Sequence, residues 1–245
     1  MNYGKDFKKY ALSEGLTSMN LYYFEKNLLE NSMTPYILEE REMRVTQMDI
    51  FSRLMRDRIL WVAGVVNEQM CNVVQAQLMY LDSVEKKDIT MHVNTPGGSV
   101  LSGLGMVDVM RYINSDVQTI NTGMAASMGS ILLSSGTKGK RASLNFSKVM
   151  IHQVSSGASG HVEDNRISQM ESEKYNYVLF KMLAENSGKS FDEVLESARR
   201  DKWLNSQEAL DFGFIDEIII TEKSTPITTY LDGFDEYYTK EVLKK

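Results

Sequence analysis

Ile59-Leu60-Trp61-Val62-Ala63-Gly64-Val65-Val66 is a short continuous apolar run closed by Asn67. Such a run, ended by a turn residue, predicts a fully buried strand. Asn67 can cap the element that follows. There Met70, Val73, Val74, Leu78 and Leu81 recur mostly at three- and four-residue steps, which is one face of a helix. Residues 89–93 repeat the strand pattern, and Asn94-Thr95-Pro96-Gly97-Gly98-Ser99 breaks it sharply. Leu104, Val107, Met110 and Ile113 mark a second helix. Residues 117–122 form a third strand, and the small-residue stretch 123–135 turns helical toward its end. The order β-α-β-α-β-α predicts an α/β fold with a parallel sheet and right-handed crossovers.

Outward from this block the pattern loosens. Residues 141–144 and 148–151 read as strands, and Ser155-Ser156-Gly157-Ala158-Ser159-Gly160 as a flexible polar stretch. A long helix is predicted over 162–186, stopped by Gly188. Ser190-Phe191-Asp192-Glu193 has the form of a capping box opening a helix through Ala198. Ser206 starts a short helix ended by Gly213, and 214–220 is the last strand. Upstream, Thr34-Pro35 precedes an extended segment, Tyr36-Ile37-Leu38. A short amphipathic helix fits 21–29. The organisation expected is an N-terminal extension or propeptide over 1–32, one folded domain over 33–220 and a C-terminal extension over 221–245.

Composition excludes several functions. The chain has 245 residues, enough for one large domain with appendages. Its single cysteine, Cys71, rules out an internal disulfide and a CxxC zinc site. The three histidines, His92, His152 and His161, do not form HExxH, so no zincin-type metal centre is expected. The net charge of −6, with no basic stripe, argues against nucleic acid as a partner. No segment approaches 18 apolar residues, so no membrane span is expected. The start is charged and lacks an apolar signal core. The expected location is the cytoplasm.

In parallel α/β sheets, sites form where strands end and helices begin. At Asn94–Ser99 paired glycines can turn backbone amides toward a neighbour, as an oxyanion or phosphate cradle or as a plain tight turn. It is not a Walker loop, since GxxxxGK[ST] is missing. At Gly123-Met124-Ala125-Ala126-Ser127-Met128-Gly129-Ser130, small neighbours leave room around Ser127. The helix start behind it favours a developing oxyanion. A serine needs a base. Of the three histidines, His152 is the best placed, at the end of Val149-Met150-Ile151. A third group, a carboxylate, must hold the imidazole. Asp201 is one candidate among 33 acidic residues, and spacing alone does not select it.

Taken together, these segments and Gly136-Thr137-Lys138-Gly139-Lys140-Arg141, Met150-Ile151-His152-Gln153, Arg200-Asp201 and Glu208-Ala209-Leu210-Asp211-Phe212-Gly213-Phe214-Ile215-Asp216 resemble the ClpP family, the proteolytic subunits of ATP-dependent Clp proteases. The resemblance implies Ser127 as nucleophile, His152 as general base and Asp201 as its orienting carboxylate. It implies an oxyanion hole from the amides of Gly98 and Met128. The implied fold is the ClpP/crotonase-like β-α superhelix with a protruding handle helix, 162–186, which interleaves with its mate between two stacked seven-membered rings. The implied partners are copies of the chain, a Clp-type AAA+ ATPase unfoldase that spends the ATP, and protein or peptide substrates. No cofactor is implied in this chain. Two other readings are a non-catalytic subunit of a mixed ring and a crotonase-type acyl-CoA enzyme, which would use glutamates instead.

Some positions depart from the family pattern. Val154 stands where a proline usually follows His-Gln, and Leu144-Asn145-Phe146 where Leu-Pro-Asn is common. Arg199 replaces an acidic residue of the ring–ring contact, and His92 replaces an aromatic of the ATPase docking surface, where Tyr80 and Tyr112 remain.

Overall fold

The computed structural model describes residues 36–41, 44–157 and 160–242. They divide into two compact units, one ending at Arg56 and the other beginning at Asp57. In the first, β1 (Tyr36–Arg41) pairs antiparallel with β2 (Arg44–Asp49), and α1 (Ile50–Arg56) follows. The extended segment expected at 36–38 is the start of β1. Asp49 accepts from the amides of Phe51 and Ser52, which opens α1. The helix expected over 21–29 and the extension 1–32 lie outside the described residues.

The second unit carries the alternation. Its elements are β3 (Ile59–Ala63), α2 (Glu68–Val84), β4 (Ile89–Thr95), α3 (Val100–Tyr112), β5 (Val117–Ala126), α4 (Met128–Ser134), β6 (Arg141–Leu144) and β7 (Lys148–Ile151). Then come α5 (Val162–Ser187), α6 (Phe191–Ser197), β8 (Lys202–Leu204), α7 (Ser206–Phe212) and β9 (Glu217–Ile219). Strands run in the order β3-β4-β5-β6-β9, all parallel. The ten-residue β5 serves two neighbours: its first half pairs with β6 and its last three residues with β7.

β3 stops at Ala63, three residues short of the predicted run. Gly64 takes φ +85° and donates its N–H to the Asn94 carbonyl, and Val66 rejoins only as an isolated bridge to Gly98. Asn67 caps α2, accepting from the Met70 amide at 2.9 Å. The buried stripe of α2 is Cys71, Val74, Leu78 and Leu81, so Val73, one position off it, points to solvent. Burial lifts the Cys71 thiol above its ordinary range. The predicted strand 214–220 is shorter: Phe214 and Ile215 are buried ahead of it, and only 217–219 pair.

Leu60, Val62, Met91 and Val93 form a fully buried sheet face. α2 packs against β3 and α3, and α4 against β4 and β5. The opposite face runs through the registered row Trp61, His92, Ile120 and Ala142. It stays partly open, with Trp61 and Leu144 exposed.

α5 matches its predicted span. Gly188 ends it in the left-handed conformation, φ +76°. Phe180, Met182 and Leu183 are buried, but Val162, Ile167, Met170, Tyr177 and Val178 are exposed. The C-terminal extension forms short turns, α8 (Ile227–Tyr230) and α9 (Phe234–Tyr237). Asn145 holds it by donating to the Thr225 carbonyl (2.7 Å) and accepting from the Ile227 amide (2.8 Å).

Candidate active site

The site lies where β5 and β7 end. Their parallel register sets Ala126 opposite Met150, and the Ser127 amide donates to the Met150 carbonyl at 2.9 Å. Ser127 then turns the chain from strand into helix at φ 54°, ψ −121°, a conformation rare for a residue with a Cβ. It stands at the N-cap position of α4, yet its hydroxyl makes no cap bond. Instead Ser127 Oγ lies 2.9 Å from His152 Nε2.

β8, absent from the sequence reading, explains the third member. It pairs antiparallel with β7, Ile151 opposite Lys202 and Met150 opposite Trp203. One further step of that register sets His152 opposite Asp201. His152 Nδ1 lies 3.3 Å from Asp201 Oδ1. The imidazole is mostly buried, whereas the carboxylate is 64% exposed.

The glycine loop faces this junction. Thr95 Oγ1 donates to the Gly64 carbonyl and accepts from the Gly97 amide, and Val66 N donates to Gly97 O. A Cβ on Gly97 would sit 2.7 Å from both the Ala126 carbonyl oxygen and Ser127 Cβ, with φ +91°. One on Gly98 would meet Val66 O at 2.2 Å. Gly129 is equally tight against Thr95. Among the described residues, neither the Gly98 nor the Met128 amide donates in a turn, loop or cap hydrogen bond. The sequence could not single out Thr95, whose hydroxyl ties the loop together.

Gly98, Ser127, Met128 and His152 line a cleft of about 230 Å³, with an apolar wall from Ile131, Leu179, Phe180 and Leu183. A hydroxyl on an imidazole, a carboxylate behind it and two free amides beside it can carry acyl transfer. His161 is absent from this set: it stands at the N-cap position of α5. His92 stacks on Trp61 with ring centroids 4.8 Å apart. Burial pushes its imidazole below the usual range. Its buried Nδ1 has no partner among the described residues. Arg199 is met within its own chain by Glu196 at 2.7 Å.

The protein has an α/β fold with a candidate acyl-transfer site where its strands end. Comparison sharpens this. A Clp protease family model matches residues 40–222. The ATP-dependent Clp protease proteolytic subunit of Bacteroides fragilis is 49% identical over 217 residues, 88% of this chain and 98% of that protein. Its counterpart in Porphyromonas gingivalis is 45% identical over 216 residues, 87% and 97% of the two chains. That of Streptococcus agalactiae is 47% identical over 190 residues, 76% and 97%. The chain belongs to the Clp protease family. Among the described residues, no helix is long and apolar enough to cross a membrane.

Proposed function

We propose that this chain is the proteolytic subunit of an ATP-dependent Clp protease, a serine endopeptidase acting on unfolded proteins and peptides. The observation that carries the reading is the Ser127 Oγ–His152 Nε2 distance of 2.9 Å, with Asp201 behind Nδ1. His152 removes the Ser127 proton as Oγ attacks the scissile carbonyl. The amides of Gly98 and Met128 stabilise the tetrahedral oxyanion. His152 then returns the proton to the leaving amine, which frees an acyl-serine. Water, deprotonated by the same imidazole, releases the second product. Losing one oxyanion donor costs about 10²–10³ in rate.

The working form is a homo-oligomer of two stacked heptameric rings served by a Clp-type AAA+ ATPase in the cytoplasm. Two features support assembly. Parallel strands of this kind normally have both faces covered, yet the Trp61–Leu144 face of the five-stranded parallel part is partly open. α5 also leaves Ile167, Met170 and Tyr177 in solvent. ATP is spent by the partner, since the sequence has no P-loop.

A fluorophosphonate probe on the assembled protein tests the chemistry. Ser127 is expected to be modified, and Ser127→Ala and His152→Ala to abolish both labelling and peptide cleavage. Equal labelling of His152→Ala overturns the assignment. Light scattering tests assembly, and a stable monomer at micromolar concentration contradicts the ring.

A further inference from the structure

We infer that Asn176 is a positioning residue for His152, an inference that rests on the serine-peptidase reading above. β7 ends at Ile151, so the backbone leaves its strand one residue before the base. Residues 153–157 form no helix or strand. Val154 donates its N–H to Asn176 Oδ1 at 3.0 Å. Among the described residues, this is the one hydrogen bond between a side chain and the backbone of 153–157.

The acceptor sits on a well-anchored body. Asn176 is half-buried on α5 and itself lines the cleft, one turn before Leu179 and Phe180 and two turns before Leu183. The far end of α5 is tied to the end of α4: Asn186 Nδ2 donates to the hydroxyls of Ser134 and Ser135, and Arg141 reaches the Asn186 carbonyl. α4 begins directly behind Ser127. The bond from Val154 therefore references the chain behind the base to the same packed helices that carry the nucleophile.

Without that acceptor, the chain behind His152 regains backbone freedom, and Nε2 no longer dwells at hydrogen-bond distance from Oγ. Misplacement of a reacting group by about 1 Å can cost about 100-fold. One neutral hydrogen bond holds only part of that, about fivefold to tenfold. Because the bond acts on the base and not on the substrate, the loss belongs in kcat and not in KM.

The test uses the assembled full chain, a fluorophosphonate probe and a short peptide substrate. Asn176→Leu removes the acceptor, Asn176→Asp keeps a carboxylate oxygen as acceptor, and Val154→Pro removes the donor and sets φ near about −65°. Asn176→Leu is expected to slow Ser127 labelling and kcat by about fivefold to tenfold, with KM within about twofold. Asn176→Asp is expected to recover most of the rate. With Val154→Pro already present, Asn176→Leu is expected to have no further effect, because no donor remains. Wild-type labelling rates in Asn176→Leu overturn the inference. So does an equal loss from Asn176→Leu with and without the Val154 N–H, since Asn176 then acts through packing alone. An unlabelled wild-type Ser127 instead overturns the peptidase reading.

Discussion

Ser127 is strained because two demands meet on one residue: its amide stays in the ladder with Met150 while its hydroxyl must leave the strand toward His152. The positive φ is the result, and only glycine adopts it freely. Ser127→Gly should therefore abolish cleavage yet be more stable than Ser127→Ala by about 1 kcal/mol, read from urea midpoints. Gly97 answers to the same crowding. Gly97→Ala brings a Cβ against Ala126 O and Ser127 Cβ, so it should lose most kcat/KM while retaining the far-UV circular dichroism of the fold. Asp201 is a weaker partner than the role proposed for it would suggest. At 3.3 Å and mostly exposed, its charge is screened by solvent. Asp201→Asn should lower kcat by about 100-fold, short of the ~10⁴-fold loss known where such a carboxylate is buried.

β8 shows how three residues can decide a site. Lys202-Trp203-Leu204 is too short for any periodicity to register, yet its antiparallel pairing carries Asp201 to His152. α7 locks in behind it with a full capping box: Asn205 Oδ1 accepts from the Glu208 amide, and the Glu208 carboxylate accepts from the Asn205 amide. Asn205→Ala should cost about 1 kcal/mol of stability in a denaturant melt. The sequence reading placed this helix start at Ser206, where it lies, but missed the box. At Ser190 it foresaw a box, but only half forms: Ser190 accepts from the Glu193 amide, while the Glu193 carboxylate pairs with Lys189. The alternation from β3 to α4 and the span of α5 were legible because each runs long enough to show its period. His152 could be picked out as the histidine that closes a short apolar strand, and Ser127 as a serine flanked by small residues where a helix begins, although β5 runs four residues further toward it than the pattern at 117–122 showed. Asp201 and Thr95 were not, since their positions depend on pairing between distant segments, and Asp201 entered only by resemblance.

At the scale of the whole molecule, Arg141 and Asp216 join the β9 edge of the sheet to the C-terminal ends of α4 and α5. Arg141 Nε and Nη2 donate to the two Asp216 carboxylate oxygens at 2.8 and 2.6 Å, and Nη1 reaches the Asn186 and Ser134 carbonyls. The Gly139 amide also donates to Asp216. Burial pushes the Asp216 carboxyl up, but the hydrogen bonds and charge of Arg141 outweigh it, and the group ends below the usual carboxylate range. A carboxyl lowered by folding contributes stability that is complete above its unfolded value, about 3.9, and is lost as pH falls through the folded one. Asp216→Asn should thus be about 3 kcal/mol less stable at pH 7, with the gap in melting temperature closing below about pH 4. The part-open face of the sheet has a different consequence. Ile120 and Ala142 on that face are already buried, but Trp61 and Leu144 are left to water, and in the assembly proposed above neighbouring copies would cover them. Dilution should therefore lower the melting midpoint, read by differential scanning fluorimetry across a roughly hundredfold range of protein concentration, and a midpoint that stays put would mean that no copy covers that face.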